Sequence, residues 1–263
     1  MIRKIAKWLI ALTLLFAGLV IYIWSETNVP AIRNINIPLA DFPGKLKIVH
    51  ISDSHGREIS ENGRLIRAIR SFSPDVVVLT GDMIDKSTTD FTPVLNTISE
   101  LSGAYPVLFI PGNHEHANPK GELFINSVRR SGATVLLNDS RIINGISICG
   151  VDDINLGLAD VPAAMEANGR CDILLSHSPA INESIRGLNI PLVLAGHTHG
   201  GQIRLPVVGA LLLPDQNIPA NLVNGLVNDD GTWFYVSVGL GTSVIPVRFM
   251  DRAEVGLITV TPE

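Results

Sequence analysis

Five short polar clusters in this sequence carry residue types that bind metal ions or transfer protons. They read SDSH at 52–55, GD at 81–82, GNHE at 112–115, SHS at 176–178 and GHTH at 196–199. Their side chains offer carboxylate or amide oxygen and imidazole nitrogen, the donors that suit manganese, iron, zinc and related divalent ions. The two cysteines of the chain, Cys149 and Cys171, stand outside the clusters and lack CxxC spacing, so we expect a pair of buried thiols.

Seven side chains in these clusters are candidate metal ligands: Asp53, His55, Asp82, Asn113, His177, His197 and His199. Seven side chains are more ligands than one ordinary metal ion binds. They suit two metal ions that lie about 3.5–4 Å apart and share a carboxylate. Each cluster taken singly could instead be a turn or hold a structural histidine. GHTH is more specific, because histidines at i and i+2 project to the same side of an extended chain. Since five of the seven histidines in the chain occur in these clusters, we expect one site.

Short apolar runs precede the clusters and predict the strands that position them. The runs cover 46–52, 75–81, 106–112, 146–151, 172–177, 192–197, 233–239 and 254–260. Continuous apolar runs of this length are typical of strands buried on both faces. Because ligand sites in α/β proteins gather at the carboxyl ends of strands, we expect the clusters to converge there.

Helix-like stretches alternate with several of these strands and predict the outer layers. They cover 61–72, with Ser60 as a cap, 93–102, 121–132 and 179–187. The alternation indicates α/β layers with helices on the sheet faces, and the Gly- and Pro-rich last third favours a mixed sheet. Residues 25–45 resemble a connector with one short strand near 32–37, so the expected domain covers 46–263.

The composition is that of a folded protein rather than a disordered or coiled-coil chain, since 46% of the 263 residues are apolar and 17% are charged. The net charge is −5, but residues 1–24 contribute three basic residues and no acidic one. The remainder therefore carries 17 basic against 25 acidic residues, a net of −8. An acidic body without basic runs is not the surface of a general nucleic-acid binder, and no nucleic-acid partner is expected.

An uncharged apolar run at 8–24 follows Arg3, Lys4 and Lys7 and has aromatic residues at its ends. As a helix rising about 1.5 Å per residue it would span about 26 Å, slightly less than a hydrocarbon core of about 30 Å. A cleaved signal peptide is the alternative, but the run exceeds the usual apolar length and lacks a small-x-small cleavage site. We therefore expect residues 1–24 to be an uncleaved single-pass membrane anchor, with the basic end cytoplasmic and the domain extracytoplasmic.

As a set, the five clusters resemble the motifs of the calcineurin-like metallophosphoesterase superfamily, which read DxH, GD, GNH with an acidic residue, a lone His, and GHxH. All five stand here in that order within residues 46–260. The stretches HTHGGQIRLP at 197–206 and VGLGTSVIPVRF at 238–249 are most similar to its membrane-anchored bacterial phosphodiesterase branch. The resemblance implies an α/β fold, a four-layered αββα sandwich with mixed sheets, here preceded by one N-terminal membrane helix at the bacterial cell membrane.

The resemblance also implies roles for the clustered residues. One metal ion would be held by Asp53, His55 and His199, and the other by Asn113, His177 and His197. Asp82 would bridge the two ions, and His114 would be the catalytic residue that faces the substrate and protonates the leaving group. The expected cofactors are two divalent metal ions, manganese, iron or zinc. Ser54, Gly56 and Arg57 depart from the common pattern beside DxH and leave the substrate open.

These features predict a hydrolase for a phosphoester or pyrophosphate bond, because two divalent ions activate water and neutralise phosphoryl oxygens without a protein nucleophile. Three interpretations remain open: a phosphodiesterase acting near a membrane on a lipid-linked substrate such as UDP-2,3-diacylglucosamine, a phosphoesterase for soluble nucleotides, and a non-catalytic metal-stabilised binding module. Arg57, Arg204 and Arg248 are either phosphate ligands or ordinary ion-paired arginines. The Leu- and Pro-rich segment 205–219 is either an interfacial lip beside the site or plain core packing.

Overall fold

The computed structural model describes residues 2–59 and 63–263 of the protein. The described part contains six α-helices, α1 (Ile2–Asn28), α2 (Gly63–Phe72), α3 (Thr92–Ser102), α4 (Asn113–Ala117), α5 (Gly121–Arg130) and α6 (Val161–Glu166). Its strands are β1 (Ala31–Leu39), β2 (Leu46–Ile51), β3 (Val76–Thr80), β4 (Val107–Ile110), β5 (Thr134–Val135), β6 (Asp139–Ile143), β7 (Ile146–Gly150), β8 (Ile173–Leu175), β9 (Leu192–Ala195), β10 (Arg204–Leu205), β11 (Gly209–Ala210), β12 (Gly225–Asp229), β13 (Thr232–Val236) and β14 (Glu254–Pro262). Each of the eight apolar runs overlaps one of these strands, so those predictions are confirmed.

Two six-stranded sheets form the middle of the molecule. The first has the order β1-β14-β2-β3-β4-β5 and the second the order β12-β13-β9-β8-β7-β6. In the first sheet β14 runs antiparallel to β2, whereas β2, β3, β4 and β5 are parallel. In the second sheet the edge strands β6 and β12 are antiparallel to their neighbours and the inner strands are parallel. Both sheets are therefore mixed, as the Gly- and Pro-rich last third of the chain indicated.

Alternate residues along the strands divide the apolar core into layers. Val76 and Val78 of β3 face the second sheet and share a cluster with Leu194 of β9. The intervening Val77 faces the other way, into a cluster that includes Phe124 of α5. The outer face of the second sheet packs against α6 and the turn that follows β8. This alternation produces helix, sheet, sheet and helix layers, and it confirms the predicted αββα sandwich.

Three segments refine the sequence-based expectations. The stretch predicted as a helix at 179–187 forms a 3₁₀ helix, Pro179–Ile185, behind Ser178, whose hydroxyl accepts the amide of Ala180. The strand expected near 32–37 is longer, because all nine residues of β1 pair with β14. The predicted cap Ser60 and the first two positions of the stretch at 61–72 lie outside the described residues.

The helix α1 is longer than the apolar run at 8–24 and continues onto the folded domain. Its residues Arg3–Asn28 have a mean hydropathy of 2.1 in their most apolar window, none of which is buried, so the helix is long and apolar enough to cross a membrane. A signal sequence near an N-terminus passes the same test. The last turns contact the domain: the Tyr22 ring packs edge-on against Phe249, with centroids 5.6 Å apart, and Arg57 donates to the terminal helix carbonyls of Thr27 and Asn28.

Arg248 is completely buried beneath this helix end and joins several loops. Its guanidinium donates to the carbonyl oxygens of Val238, Gly241 and His199 and to the carboxylate of Asp251, at 3.0 Å in the last case. The backbone N–H of Arg248 donates to the Thr27 hydroxyl of α1. A buried guanidinium is tolerated when acceptors surround it, and removing one side of such an arrangement leaves the others unpaired.

We expect Arg248→Met to lower the free energy of unfolding by about 3–5 kcal/mol, because it strands a buried carboxylate and several carbonyls without a donor. Urea unfolding of the full chain in detergent, followed by tryptophan fluorescence, measures the change. The matched control is Arg186→Met, which removes an exposed ion pair with Glu183 and should change stability by about 1 kcal/mol or less. A loss no larger than that of the control would contradict a structural role for the network.

Candidate metal centre

The five polar clusters converge at one edge of the sandwich. Each cluster begins where a strand ends: 52–55 after β2, 81–82 after β3, 112–115 after β4, 176–178 after β8 and 196–199 after β9. Strands β2, β3 and β4 are parallel neighbours in the first sheet, and β8 and β9 are parallel neighbours in the second. Their carboxyl ends therefore meet across the interface between the two sheets.

The seven candidate ligands fall into two groups on either side of Asp82. In the first group the Nε2 atoms of His55 and His199 are 3.1 Å apart, and Asp53 Oδ1 is 3.5 Å from His199 Nε2. In the second group His177 Nε2 is 3.2 Å from His197 Nδ1 and 3.2 Å from Asn113 Oδ1. The structure thus brings together side chains that are up to 146 positions apart in the chain.

Asp82 lies between the two groups and contacts both. Its Oδ2 atom is 3.3 Å from His177 Nε2 on one side and 4.0 Å from His55 Nε2 on the other. The second carboxylate oxygen, Oδ1, accepts the backbone N–H of His114 at 2.9 Å, which fixes the orientation of the carboxylate. One carboxylate oxygen is therefore directed at both clusters of imidazole nitrogen.

The spacing of these atoms fits divalent cations. Ligand atoms held about 2.0–2.2 Å from one first-row transition-metal ion stand roughly 2.8–3.6 Å from one another, across octahedral and tetrahedral geometries. The distances of 3.1–3.5 Å within each group lie in that range. The donor set is nitrogen and oxygen only, and the ring atom His199 Nδ1 is buried without a hydrogen-bond partner. Donor chemistry and spacing both fit two divalent ions.

Glycine is required at two motif positions because the ligands approach the backbone closely. A Cβ atom on Gly112 would lie 2.8 Å from the ring of His177 and would overlap the carboxylate of Asp82. A Cβ atom on Gly196 would overlap both Ser52 and the carboxylate of Asp53. The glycines of the GNHE and GHTH motifs therefore allow strands from the two sheets to carry their ligands to one point.

The backbone at the site adopts a conformation that side chains rarely take. Asp53, His55, Asp82, His197 and His199 all have φ between 47° and 68°. Left-handed φ at non-glycine residues costs free energy and is common at functional sites, where the surrounding fold enforces it. Asp53, Asp82 and His197 each stand two residues after the end of a strand, so this unusual backbone lies at the carboxyl edge of the sheets.

His177 is oriented by a hydrogen bond on the side away from the centre. Its Nδ1–H donates to the carbonyl oxygen of Thr80 at 2.8 Å, which directs Nε2 at Asp82. Burial by itself would lower the pKa of His177, but the charges of Asp82 and Asp53 outweigh burial and hold that pKa well above its ordinary value. Burial would likewise raise the pKa of Asp82, yet His177 holds it far below its ordinary range. A divalent cation bound here would compete with the proton on His177, because a metal ligand must be deprotonated.

The other two histidines of the second sheet are kept neutral. Burial, followed by the charge of His177, lowers the pKa of His197 to about 3. Burial, followed by the charge of His55, lowers the pKa of His199 well below its ordinary value. Neutral imidazoles present lone pairs, the form in which histidine binds a metal ion. The amide of Asn155, which the motifs do not include, contacts His197 Nε2 at 3.1 Å.

His114 lies at the rim of the site and is oriented by Asp85, a residue that the sequence analysis missed. The Nδ1 atom of His114 is 2.7 Å from Asp85 Oδ1, and its Nε2 is 4.0 Å from Asp82 Oδ2. The hydrogen bonds from His114 and then His55 hold the pKa of Asp85 far below its ordinary range. Asp85 follows Asp82 by three residues in the same loop. That spacing was the feature of the sequence from which a second acidic residue near the site could have been predicted.

Glu115 is the second residue whose part only the structure reveals. It is completely buried, and its carboxylate accepts four backbone N–H groups, from Asp82, Met83, Ile84 and Gly112, at 2.7–3.2 Å. Burial, followed by the nearby charge of Asp82, raises the pKa of Glu115 to about 7. The carboxylate ties the loop that carries Asp82 to the loop that carries Asn113 and His114.

Several other candidates do not belong to the centre. Arg57, Arg204 and Arg248 each donate to backbone carbonyl oxygens. His116 pairs with Asp152 at 2.6 Å. The cysteines Cys149 and Cys171 are buried and free, which confirms that expectation. A cavity of about 890 Å³ lies near the amino ends of strands in the second sheet and is lined by none of the seven candidate ligands.

We expect Glu115→Gln to loosen the site while preserving the volume of the side chain. The amide nitrogen of Gln cannot accept the hydrogen bonds of two backbone N–H groups, and each unsatisfied donor costs about 1–3 kcal/mol. The variant should unfold at a lower temperature and retain less divalent metal, measured by thermal unfolding and by elemental analysis of the purified chain. The control Glu122→Gln, at the exposed start of α5, should change neither quantity. Normal stability and metal content in Glu115→Gln would refute the positioning role.

Comparison with known proteins agrees with this geometry. A model of the calcineurin-like phosphoesterase family matches residues 46–201. The chain is 30% identical over 246 residues to the metallophosphoesterase YkuE of Bacillus subtilis strain 168, across 89% of this chain and 85% of YkuE. It is 29% identical over 229 residues to the phosphodiesterase YaeI of Escherichia coli K12, across 83% of each chain.

Among solved structures, TT1561 of Thermus thermophilus is similar to this chain with a TM-score of 0.51 at 13% identity, over 74% of this chain and 90% of TT1561. That likeness concerns the fold alone. The family model spans more than half of this chain and includes all five polar clusters. The chain therefore belongs to the calcineurin-like phosphoesterase family and is a metal-dependent hydrolase of phosphoesters.

Proposed function

We propose that this protein is a dinuclear-metal phosphodiesterase that acts at a membrane surface on a lipid-linked substrate. The observation that carries the catalytic part is the position of Asp82, whose Oδ2 atom is directed at two separate clusters of imidazole nitrogen. A carboxylate in that position fits a site in which two cations share one ligand. A single metal ion held by one group of ligands would not require a carboxylate between the two groups.

In this proposal the two groups of side chains each hold one divalent ion. Asp53, His55 and His199 would hold the first ion, Asn113, His177 and His197 would hold the second, and Asp82 would be a ligand to both. The ions, when bound, supply Lewis-acid activation of water and neutralise the charge of the phosphoryl oxygens. Manganese, iron and zinc all suit this donor set.

His114 is the proposed general acid. Its side chain is 17% exposed, whereas those of the neighbouring ligands are almost completely buried, so it faces the opening of the site. The contact of Nδ1 with Asp85 leaves Nε2 on the side of Asp82. A proton held at Nε2 can pass to the oxygen of the leaving alcohol, a contribution of about 10²–10⁴-fold in comparable enzymes.

The membrane part of the proposal rests on α1 and its attachment to the domain. We assign residues 1–24 to an uncleaved single-pass anchor in a bacterial cell membrane and 46–263 to the catalytic domain, on the extracytoplasmic side. Residues 25–45 are the connector between them, and its strand β1 joins the first sheet of the domain. The hydrogen bonds of Arg57 and the backbone of Arg248 to the end of α1 support a fixed orientation of the domain relative to the helix. A fixed orientation favours substrates that are themselves held in the bilayer.

We expect turnover to require metal and the bridging carboxylate. The full chain in detergent should hydrolyse bis-p-nitrophenyl phosphate with added Mn²⁺, lose this activity on chelation and regain it on addition of metal. Asp82→Asn should lose almost all turnover because the two ions no longer share a charged ligand, while Asp230→Asn in an exposed turn should keep it. Three substrates are compared: this diester, a soluble dinucleotide, and UDP-2,3-diacylglucosamine in mixed micelles. If the protein binds stoichiometric metal but hydrolyses none of them, the result would favour a binding module. Preference for the soluble dinucleotide would favour a nucleotide phosphoesterase.

Loss of the general acid should depend on the leaving group. We expect His114→Ala to reduce kcat strongly for an alkyl phosphodiester and much less for bis-p-nitrophenyl phosphate, since p-nitrophenolate leaves without a proton. Asp85→Asn should show the same leaving-group dependence to a smaller degree, because it removes the partner that orients His114. Asp152→Asn is the matched control, since it disrupts the separate pair with His116. Equal losses on both substrates would contradict the acid role of His114.

A further inference from the structure

We propose that the hairpin β10–β11 and the adjoining segment 244–250 form an apolar lip that inserts into the lipid surface beside α1. This inference rests on the proposed membrane function and adds a second membrane contact to the anchor. The lip is defined as residues 204–213 together with 244–250. Its occupant is a phospholipid bilayer rather than another protein.

The lip concentrates exposed apolar side chains on one part of the domain. Outside α1 the described residues expose twelve large apolar side chains, and seven of them belong to the lip: Leu205, Val207, Val208, Leu211, Leu213, Val244 and Met250. The segment 205–214 carries no charged residue, and Arg204 stands at its base. A solvated loop would be expected to carry polar residues at such positions, whereas apolar tips with a basic flank are typical of interfacial contact.

The tip of the hairpin presents its side chain outward. Strands β10 and β11 pair in the register Arg204 with Ala210 and Leu205 with Gly209, which leaves 206–208 as the turn. Val207 is fully exposed and has φ of 71°, a conformation that β-branched residues rarely adopt. Because the Val207 side chain is fully exposed, packing within the domain does not stabilise this conformation. Contact with a partner outside the domain would bury the side chain and stabilise it.

The lip is continuous with the surface on which α1 lies. Phe249 contacts the ring of Tyr22 on one side, and on the other its backbone N–H and C=O pair with Gln202 and Arg204 at the start of the hairpin. Tyr22, Arg204 and Met250 line one cavity of about 360 Å³. The membrane helix and the hairpin thus flank the same short segment, which brings the lip to the end of the helix.

The lip also borders the metal centre. The turn His199–Gly201 leads from the candidate ligand His199 into the hairpin, and the N–H of Gln202 donates to the carbonyl of His199. The buried side chain of Gln202 accepts the N–H of Val244 and donates to the carbonyl of Ile245, which joins the two parts of the lip. A lip seated in the lipid surface would therefore bring the centre to the headgroup of a lipid-linked phosphodiester.

The test uses single cysteines in the full chain, since the native cysteines are buried. Val207→Cys, Ile142→Cys and Leu12→Cys are each labelled with the fluorophore NBD and reconstituted in phosphatidylcholine and phosphatidylglycerol liposomes with or without doxyl-labelled lipid. We expect doxyl lipid to quench most of the emission at position 207 and at position 12 in α1. Position 142, which is 55% exposed on the edge strand β6, should remain unquenched.

Quenching at 12 without quenching at 207 would overturn the lip and leave the anchor intact. Quenching at neither position would overturn the membrane anchor, and the lip with it, irrespective of catalytic activity. A disulfide between two copies of unlabelled Val207→Cys, without lipid quenching, would assign the surface to a second copy of this chain and overturn the proposal.

Activity supplies an independent readout. The double variant Val207→Asp, Val208→Asp should leave hydrolysis of bis-p-nitrophenyl phosphate in detergent unchanged, because neither residue belongs to the metal centre. Hydrolysis of a lipid-linked phosphodiester in vesicles should fall several-fold, because charges at the tip oppose insertion. Ile142→Asp should leave both activities unchanged. Unaltered hydrolysis of the vesicle substrate by the double variant would contradict the lip.

Discussion

The carboxylate of Asp82 is buried between imidazole rings from both sheets, and the rest of the site is arranged so that this charge can be accommodated. An isolated buried carboxylate is costly, and its pKa rises until it takes up a proton. Here His177 supplies an opposite charge at 3.3 Å, and a backbone N–H holds the second oxygen. The charge is thereby kept in a place where divalent cations can replace the proton that His177 carries.

Holding Asp82 in place requires loops from separate strands to keep their positions closely. The buried carboxylate of Glu115 holds two of these loops together by accepting hydrogen bonds from four backbone N–H groups. Gly112 and Gly196 allow the loops to approach one another, because a side chain at either position would overlap a candidate ligand. These residues bind neither substrate nor metal in the proposal, and the geometry of the centre nevertheless depends on them.

A second buried charge connects the centre to the N-terminal helix. Arg248 donates to the carbonyl of His199 at one end of its network, and its own N–H binds Thr27 of α1 at the other. The same segment of chain continues through Phe249 to the hairpin that follows the GHTH motif. The orientation of the helix, the apolar lip and the metal centre is consequently determined by one set of contacts, and a change in one of them affects the others.

Much of this arrangement could be predicted from the sequence because it follows from local patterns. Strands buried on both faces have continuous apolar runs, and all eight such runs overlap strands. The seven candidate ligands follow these strands closely and have recognisable donor types, so they could be named from the sequence. The role of His114 came from the resemblance to the family. The helix-like stretch at 179–187 forms a 3₁₀ helix, Pro179–Ile185, because a sequence pattern over seven residues does not distinguish the two helix types.

The sequence by itself determined the α/β class with a mixed sheet and the apolar character of α1, because periodicity is a local property. Motif chemistry named the candidate ligands, and the αββα layering followed from the resemblance to the family. Only the tertiary structure decided that Asp85 orients His114, that Glu115 clamps two loops, that Arg248 is buried and that 204–213 lies beside the helix end. The sequence does not show whether a carboxylate or a guanidinium is exposed to solvent or buried in the folded protein. Its partners are contributed by distant segments, which only the folded chain brings within hydrogen-bonding distance.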